Sequence, residues 1–202
     1  MSAAPSVHAV VLAAGRSSRM GGANKLLALF DGEPLVRRTA ARALASRAAG
    51  VTVVTGHQAE RVAEALAGLD VRIVHNSDFG SGLAGSLRAG VAAVPEAADG
   101  MLVLLGDMPE VTAEHIDRLI AAFAESEGNG IVRATHAGRR GNPVILPRRL
   151  FAALMTLEGD AGARTLIEAE GAAVIDIEIG QGATVDVDTP EALRQAGGVL
   201  RD

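Results

Sequence analysis

The chain has no cysteine, no tryptophan and no tyrosine, and its four phenylalanines bring aromatic residues to only 2%. Without cysteine there is no thiol nucleophile, thiolate zinc site or disulfide framework, so a bound metal must take oxygen or imidazole ligands, and a reducing compartment suits such a chain. With so few aromatics, the stacking platforms of single-strand nucleic-acid binders cannot be built, and a nucleobase would be read by backbone and small side chains. A basic excess is missing too. Nineteen Lys and Arg face 24 Asp and Glu, a net charge of −5, which argues against nucleic acid or an anionic membrane as the main partner. Residues 1–8 carry no Lys or Arg, and the apolar run 9–14 is six residues long, too short for a signal-peptide core or a bilayer span. The expectation is a cytoplasmic protein with no membrane or nucleic-acid partner.

The composition that remains, 49% hydrophobic and 21% charged over 202 residues, is that of one globular domain spanning residues 1–202. Such a chain buries roughly 70% of its unfolded surface and needs no staple. Nearly all-apolar runs at 7–12, 51–55, 71–75 and 101–105 read as strands buried on both faces. Ala-, Leu- and Arg-rich stretches at 35–46, 58–67 and 84–94 read as the helices between them, and Thr112 as the N-cap of a further helix through Phe123. The fold class is therefore α/β, a mostly parallel sheet flanked by helices on both faces. Short strands at 131–135 and 143–146, separated by a turn at 137–142, suggest a small β insertion in the second half. Helical patches near 148–155 and 162–169, strands near 173–177 and 183–187, and a last helix starting at Thr189-Pro190-Glu191 complete the reading.

The first strand runs straight into V-V-L-A-A-G-R-S-S-R-M-G-G-A-N-K at residues 10–25. Small residues at Leu12-Ala13-Ala14-Gly15 let backbone N–H groups approach phosphate oxygens, while Arg16, Arg19 and Lys25 supply charge to match a polyphosphate. Three cations in a glycine loop repel one another unless an anion sits between them. Two familiar loops are excluded by spacing. A dinucleotide fingerprint ending at Ser18 needs glycine where Ala13 and Ser18 stand, and a Walker A loop opening at Gly15 needs its G-K-[ST] at Met20-Gly21-Gly22.

The strand at 101–105 ends in Gly106-Asp107-Met108-Pro109, and ligands in open α/β sheets lie beyond the carboxyl ends of strands, so Asp107 should face the same crevice as the loop. Beside a triphosphate, such a carboxylate is a Mg²⁺ ligand. A second ligand is expected from Asp186-Val187-Asp188, with Asp188 favoured over Asp186 because it lies nearer the carboxyl end of the expected strand. Gly80-Ser81-Gly82, with Ser86 one turn into the following helix, offers free N–H groups and hydroxyls to a base, and Thr55 and Gly56 are a further candidate wall. Two later loops, with Arg140, Gly141 and Asn142 in one and Asp160 and Arg164 in the other, suit an anionic, hydrogen-bonding acceptor. The five histidines, His8, His57, His75, His115 and His136, show no metal-ligand spacing and read as structural or solvent-facing, and no G-x-S-x-G is present.

The glycine loop closely resembles the L-A-A-G-x-S-x-R-M-G-x-x-K motif of nucleotidyltransferases built on a Rossmann-like sheet, and most closely the molybdenum cofactor cytidylyltransferase branch. It is one residue longer between Gly21 and Lys25 than that motif's shortest form. The segments G-D-M-P, D-x-D-T-P-E, R-G-x-P-V and G-D-x-G-A-R resemble further motifs of the family, in the family's order, from Val7 to about Leu193. Leu83 stands where Met is usual, and Asn142 where many relatives have His. The resemblance implies a fold like that of the nucleotide-diphospho-sugar transferases and transfer of CMP from CTP to a molybdopterin-type cofactor, with pyrophosphate released. It implies Arg16, Arg19, Lys25 and Asp107 as catalytic residues and Mg²⁺, or Mn²⁺, on Asp107 and Asp188. The double alanine Ala13-Ala14 is typical of members using CTP. A molybdoenzyme or its maturation chaperone would receive the product.

Overall fold

The computed structural model describes residues 4–159, 162–170 and 174–200. In chain order the elements are β1 (Val7–Ala13), β2 (Leu29–Phe30), β3 (Glu33–Pro34), α1 (Leu35–Leu44), β4 (Val51–Thr55), α2 (Ala59–Ala65), β5 (Arg72–His75), α3 (Leu83–Ala93), β6 (Gly100–Leu105), α4 (Ala113–Glu125), β7 (Ile131–His136), β8 (Arg139–Pro147), α5 (Phe151–Leu154), α6 (Arg164–Glu170), β9 (Val174–Glu178) and α7 (Pro190–Gln195). Seven strands form one sheet in the order β5-β4-β1-β6-β8-β7-β9, and β2 and β3 make a separate short ribbon. Only β8 runs antiparallel to its neighbours, so the sheet is mostly parallel.

β1 explains the layering. All seven of its residues are buried, and the period of two sends alternate side chains to opposite faces. Val7, Ala9, Val11 and Ala13 join Val36 and Ala40 of α1, Val62 of α2 and Ile116, Leu119 and Phe123 of α4 in one core. Val10 and Leu12 join Leu87 and Val91 of α3, Leu154 of α5 and Ile167 of α6 in the other. Helices thus cover both faces. The start of α4 is as expected: the Thr112 hydroxyl accepts from the His115 N–H and the His115 ring accepts from the Thr112 N–H, a reciprocal cap of about 1 kcal/mol. Among the described residues no helix is long and apolar enough to cross a membrane.

Three local readings need correction. The pair β7–β8 is not a set-apart insertion but continues the main sheet, because β8 pairs with β6 as well as β7. Its turn is only Ala137-Gly138, both at positive φ, the two-residue connection that suits the right-handed twist of a hairpin. Residues Arg139 to Asn142, expected in a turn, therefore lie in β8. Finally, the strand expected at 183–187 does not form: Gly180–Ala183 is a short 3₁₀ turn, and the segment after it pairs with no strand among the described residues. The turn packs on β8 instead. Gly141 lies so close to Ala183 that a Cβ there would collide with the Ala183 carbonyl.

The stretch beyond this turn positions the site. Val187 is fully buried with Met20, Phe30, Leu35 and Leu193. Leu29 and Val199 exchange backbone hydrogen bonds of 2.9 and 2.8 Å, and the Val187 N–H donates to the Asp107 carbonyl at 3.1 Å. One small apolar cluster thereby pins the end of the chain over the loop after β1 and ties it to the residue after β6. Thr189 caps α7 through the Ala192 N–H, with Pro190 in the first turn.

His8 is buried in β1 with its ring 2.9 Å from the Thr52 hydroxyl. Burial, aided by Arg72, pushes its pKa below the ordinary 6.5, and burial and Arg118 do the same for His115. Their unfolded forms take up protons first, so the stability they contribute is complete above pH 6.5 and is lost as pH falls through the lowered values. Denaturant unfolding between pH 7.5 and 5 should show a declining stability that flattens in part in His8→Gln; an unchanged slope would contradict this account.

Candidate active site

β1, β4 and β6 run parallel, so the segments that follow them emerge along one edge of the sheet. There a cleft of about 450 Å³ opens, lined by Leu12, Ala14, Gly15, Arg16 and Lys25 from the first loop, by residues around the start of α3, and by Asp107, Asp186 and Asp188. At its centre the Lys25 ammonium is shared by two carboxylates, 2.5 Å from Asp188 Oδ1 and closer still to Asp107 Oδ2. Arg19 adds a second bond to Asp188, at 2.7 Å. The loop's repelling cations thus find anions within the chain: Arg19 and Lys25 are answered by these carboxylates before any phosphate arrives.

Local turns hold Lys25 in place. Ser17 and Gly21, both at positive φ, flank the short helical turn Ser18–Met20, and Asn24 caps the next turn through the Leu26 N–H. The Ser17 hydroxyl accepts from the Lys25 N–H at 3.2 Å. Side-chain exposures of 12% for Lys25, 15% for Asp107 and 25% for Asp188 mean the charges are largely withdrawn from water. Burial opposes the Lys25 charge, but Asp107 and Asp188 outweigh it and raise its pKa. Burial likewise opposes the charge on Asp188, yet Lys25 and Arg19 hold its pKa below 3.8. For Asp186 the balance is reversed: burial, Asp188 and Asp107 push its pKa upward.

The donor set fits a hard divalent cation. Asp107 Oδ1 is buried with no hydrogen-bond partner among the described residues, and the site offers carboxylate oxygens with neither sulfur nor imidazole. Among the described residues no three acidic, His or Cys side chains already surround one point. Two carboxylates completed by phosphate oxygens and water are what Mg²⁺ or Mn²⁺ accepts.

The remaining expected residues divide. Gly80, Gly82 and Ser86 line the cleft with Leu12, Ala14 and Gly15, and the Ser86 hydroxyl accepts from the Asn76 amide. Ser81 lies in the turn Phe79–Ser81. Ala13 points into the core on the opposite face. Thr55 and Gly56 are not a wall of the cleft: Thr55 is buried with its hydroxyl donating to the Val74 carbonyl, and Gly56 is packed against Ala14 and Phe79 with no room for a Cβ. Gly106 packs on the Leu12 carbonyl and Leu26. Asp186 and Asp188 both reach the cleft, on either side of buried Val187, although no strand carries them. Phe79, Leu26 and Leu105 also line the cleft and were not expected there. An aromatic in a loop after a strand, in a chain with four phenylalanines, was the available signal for Phe79.

A second cavity, of about 650 Å³, continues from the first through the shared residues Leu12, Leu83 and Leu105. Arg140, Gly141, Asn142 and Arg164 all line it, with Arg139 besides; Asp160 lies outside the described residues. Its floor is apolar, made by Leu87, Val103, Val144, Leu146 and Ile167. Glu168 pairs with Arg164 at 2.9 Å and Arg140 at 3.3 Å, and Arg133 is engaged by Asp176 through two hydrogen bonds. The requirement for glycine at Gly141 is set by the Ala183 backbone.

A cationic glycine loop facing carboxylates at the carboxyl edge of a parallel sheet defines an α/β protein that handles nucleotide phosphates. Comparison with known proteins sharpens this class. Residues 9–174 match the family described as the MobA-like NTP transferase domain, and the chain belongs to that family of nucleotidyltransferases. Nicotine blue oxidoreductase of Paenarthrobacter nicotinovorans is 33% identical over 196 residues, covering 94% of this chain and 95% of that protein. Molybdenum cofactor guanylyltransferase of Burkholderia lata is 35% identical over 168 residues, 81% of this chain and 78% of that one. Among solved structures, Rv0371c of Mycobacterium tuberculosis superposes with a TM-score of 0.83 at 28% identity, covering 96% and 98% of the two chains. Its complex with manganese gives 0.77 at 27%, covering 95% and 97%.

Lys25→Met leaves Asp107 without a cation and Asp188 with Arg19 alone in a largely dry site, which should cost about 2 kcal/mol of stability at pH 7. Protonation relieves a buried carboxylate that has lost its cation, so the deficit should shrink as pH is lowered toward 4. Chemical denaturation at both pH values checks this; a deficit that stays constant or grows on acidification would show that the three charges are not coupled.

Proposed function

We propose that the chain transfers a cytidylyl group from CTP to the terminal phosphate of a molybdopterin-type cofactor, with Mg²⁺ or Mn²⁺ as cofactor, releasing pyrophosphate. The observation that carries this reading is the meeting of Arg16, Arg19 and Lys25 with Asp107 and Asp188 in one cleft that opens into a second, arginine-rimmed cavity. The apolar floor of that second cavity suits a flat ring system better than a polyol, whose hydroxyls would lie against Val103, Val144 and Leu146 without partners. Arg139, Arg140 and Arg164 at its rim suit the anionic end of the acceptor.

In this mechanism an oxygen of the acceptor phosphate attacks the α-phosphorus of CTP as the bond to the β-phosphate oxygen breaks. The nucleophile needs no protein base, because its second pKa of about 6 leaves it ionised at neutral pH. Asp107 and Asp188 would hold the divalent cation, which when bound neutralises phosphate charge. Lys25 and Arg16 line the cleft where the charge of the leaving pyrophosphate develops, and Arg19 steadies Asp188. Ala13-Ala14 favours CTP as donor, whereas the likeness to a molybdenum cofactor guanylyltransferase favours GTP, so the donor is tested directly.

Pyrophosphate release should be measured with each nucleoside triphosphate, with and without molybdenum cofactor. Release that needs the cofactor and is fastest with CTP is expected; dependence on GTP would change the donor, and no release under any condition would overturn transfer. Asp107→Ala or Lys25→Ala should lower turnover by about two orders of magnitude or more in a folded protein. Arg140→Ala and Arg164→Ala should raise KM for the acceptor about tenfold with KM for the nucleotide unchanged, and the opposite pattern would remove the acceptor from the second cavity.

A further inference from the structure

Of the three cations in the glycine loop, Lys25 and Arg19 are held by carboxylates, whereas Arg16 has no carboxylate partner among the described residues. Its guanidinium instead lies over the Phe79 ring, 5.6 Å from the centroid. The side chain thereby reaches from the loop after β1 across to the turn before α3. Its end lies so near the Gly80 backbone that a Cβ there would stand 2.5 Å from Arg16 Nη2. Phe79 is itself fixed. A Cβ on Gly56 would fall 2.5 Å from Phe79 Cβ, and the His57 ring stands beside it with centroids 6.1 Å apart. The His57 N–H in turn donates to the Ala14 carbonyl at 3.2 Å. The side chain is thus held beside Gly56 and His57, just after β4, and lines the cleft.

We propose that Phe79 is a positioning residue: its ring holds the guanidinium of Arg16 in the cleft, aimed at the pyrophosphate end of a nucleoside triphosphate. This rests on the nucleotide reading of the cleft and adds to it a residue outside the glycine loop and the carboxylates. An exposed arginine has many rotamers, and ordering it when a ligand arrives weakens binding. A ring already beneath the guanidinium removes part of that loss, and the absent side chain at Gly80 leaves room for it.

The test uses the full chain with Mg²⁺, titrated calorimetrically with the nucleoside triphosphate that the wild type binds most tightly, the matching monophosphate and inorganic pyrophosphate. Phe79→Ala should weaken triphosphate and pyrophosphate about fivefold and leave the monophosphate unchanged, and Phe79→Tyr should restore wild-type affinity. Phe79→Leu keeps an apolar side chain beside Gly56 and His57 but has no π face, so it should behave as Phe79→Ala while retaining the wild-type Tm. Gly80→Ala, whose Cβ would meet nothing but the end of Arg16 among the described residues, should reproduce the loss by displacing the guanidinium; it also carries the test should Phe79→Ala fail to fold. On an Arg16→Ala background, Phe79→Ala should add nothing. Additive losses, or equal losses for mono- and triphosphate, would make the ring a base platform or a packing residue and overturn the proposal. So would wild-type affinities in Phe79→Ala and Gly80→Ala. A wild-type protein that binds no nucleoside triphosphate overturns the nucleotide reading itself, a distinct result.

Discussion

A single ammonium group organises the functional edge of this protein. Lys25 stands between Asp107 and Asp188, residues 82 and 163 positions away in the chain. Withdrawing three charges from water is costly unless each has a partner, so this contact joins the first loop, the end of β6 and the segment before α7 into one arrangement. The apolar cluster around Val187 does the complementary work. By burying that valine with Met20 and Phe30, it delivers the two flanking aspartates to the cleft.

The same contact gives the cleft a dual character. With Lys25 in place the carboxylates are compensated, yet among the described residues Asp107 Oδ1 remains buried and unpartnered, and Arg16 remains a cation without a carboxylate. On the proposed function a metal–triphosphate pair would answer both, because phosphate oxygens would give the cations a new partner while a divalent ion would take the carboxylates. The second cavity repeats the pattern on a smaller scale, with Glu168 occupying Arg140 and Arg164. In both places a side-chain carboxylate stands where an anionic ligand would find its cations.

Much of the fold was legible because strands buried on both faces have few polar positions: β1, β4 and β6 announce themselves as mainly apolar runs, and the helices between them by amphipathic spacing. What misled was the second half. Arg139 to Asn142 look like a turn because glycine and polar residues cluster there, but pairing with β7 outweighs local preference. The run at 183–187 looks like a strand, yet Gly180–Ala183 turns as a short 3₁₀ segment packed on Gly141. The glycine loop and Asp107 were readable from motif and position. Thr55 was misplaced because a polar residue at a strand end can point either way, and Phe79 was passed over because composition alone discouraged any thought of an aromatic surface.

By itself, then, the sequence determined the alternation of strands and helices, the cationic loop after β1 and the carboxylate after β6, since these arise from local periodicity and from where ligands lie on a parallel sheet. Only the tertiary structure decided which carboxylates meet Lys25, that β8 closes the sheet beside β6, and that Phe79 comes to lie under Arg16. Each of these depends on contacts between segments distant in the chain. Their partners are chosen by packing and by the cost of burying charge, and neither is written in any short stretch of residues.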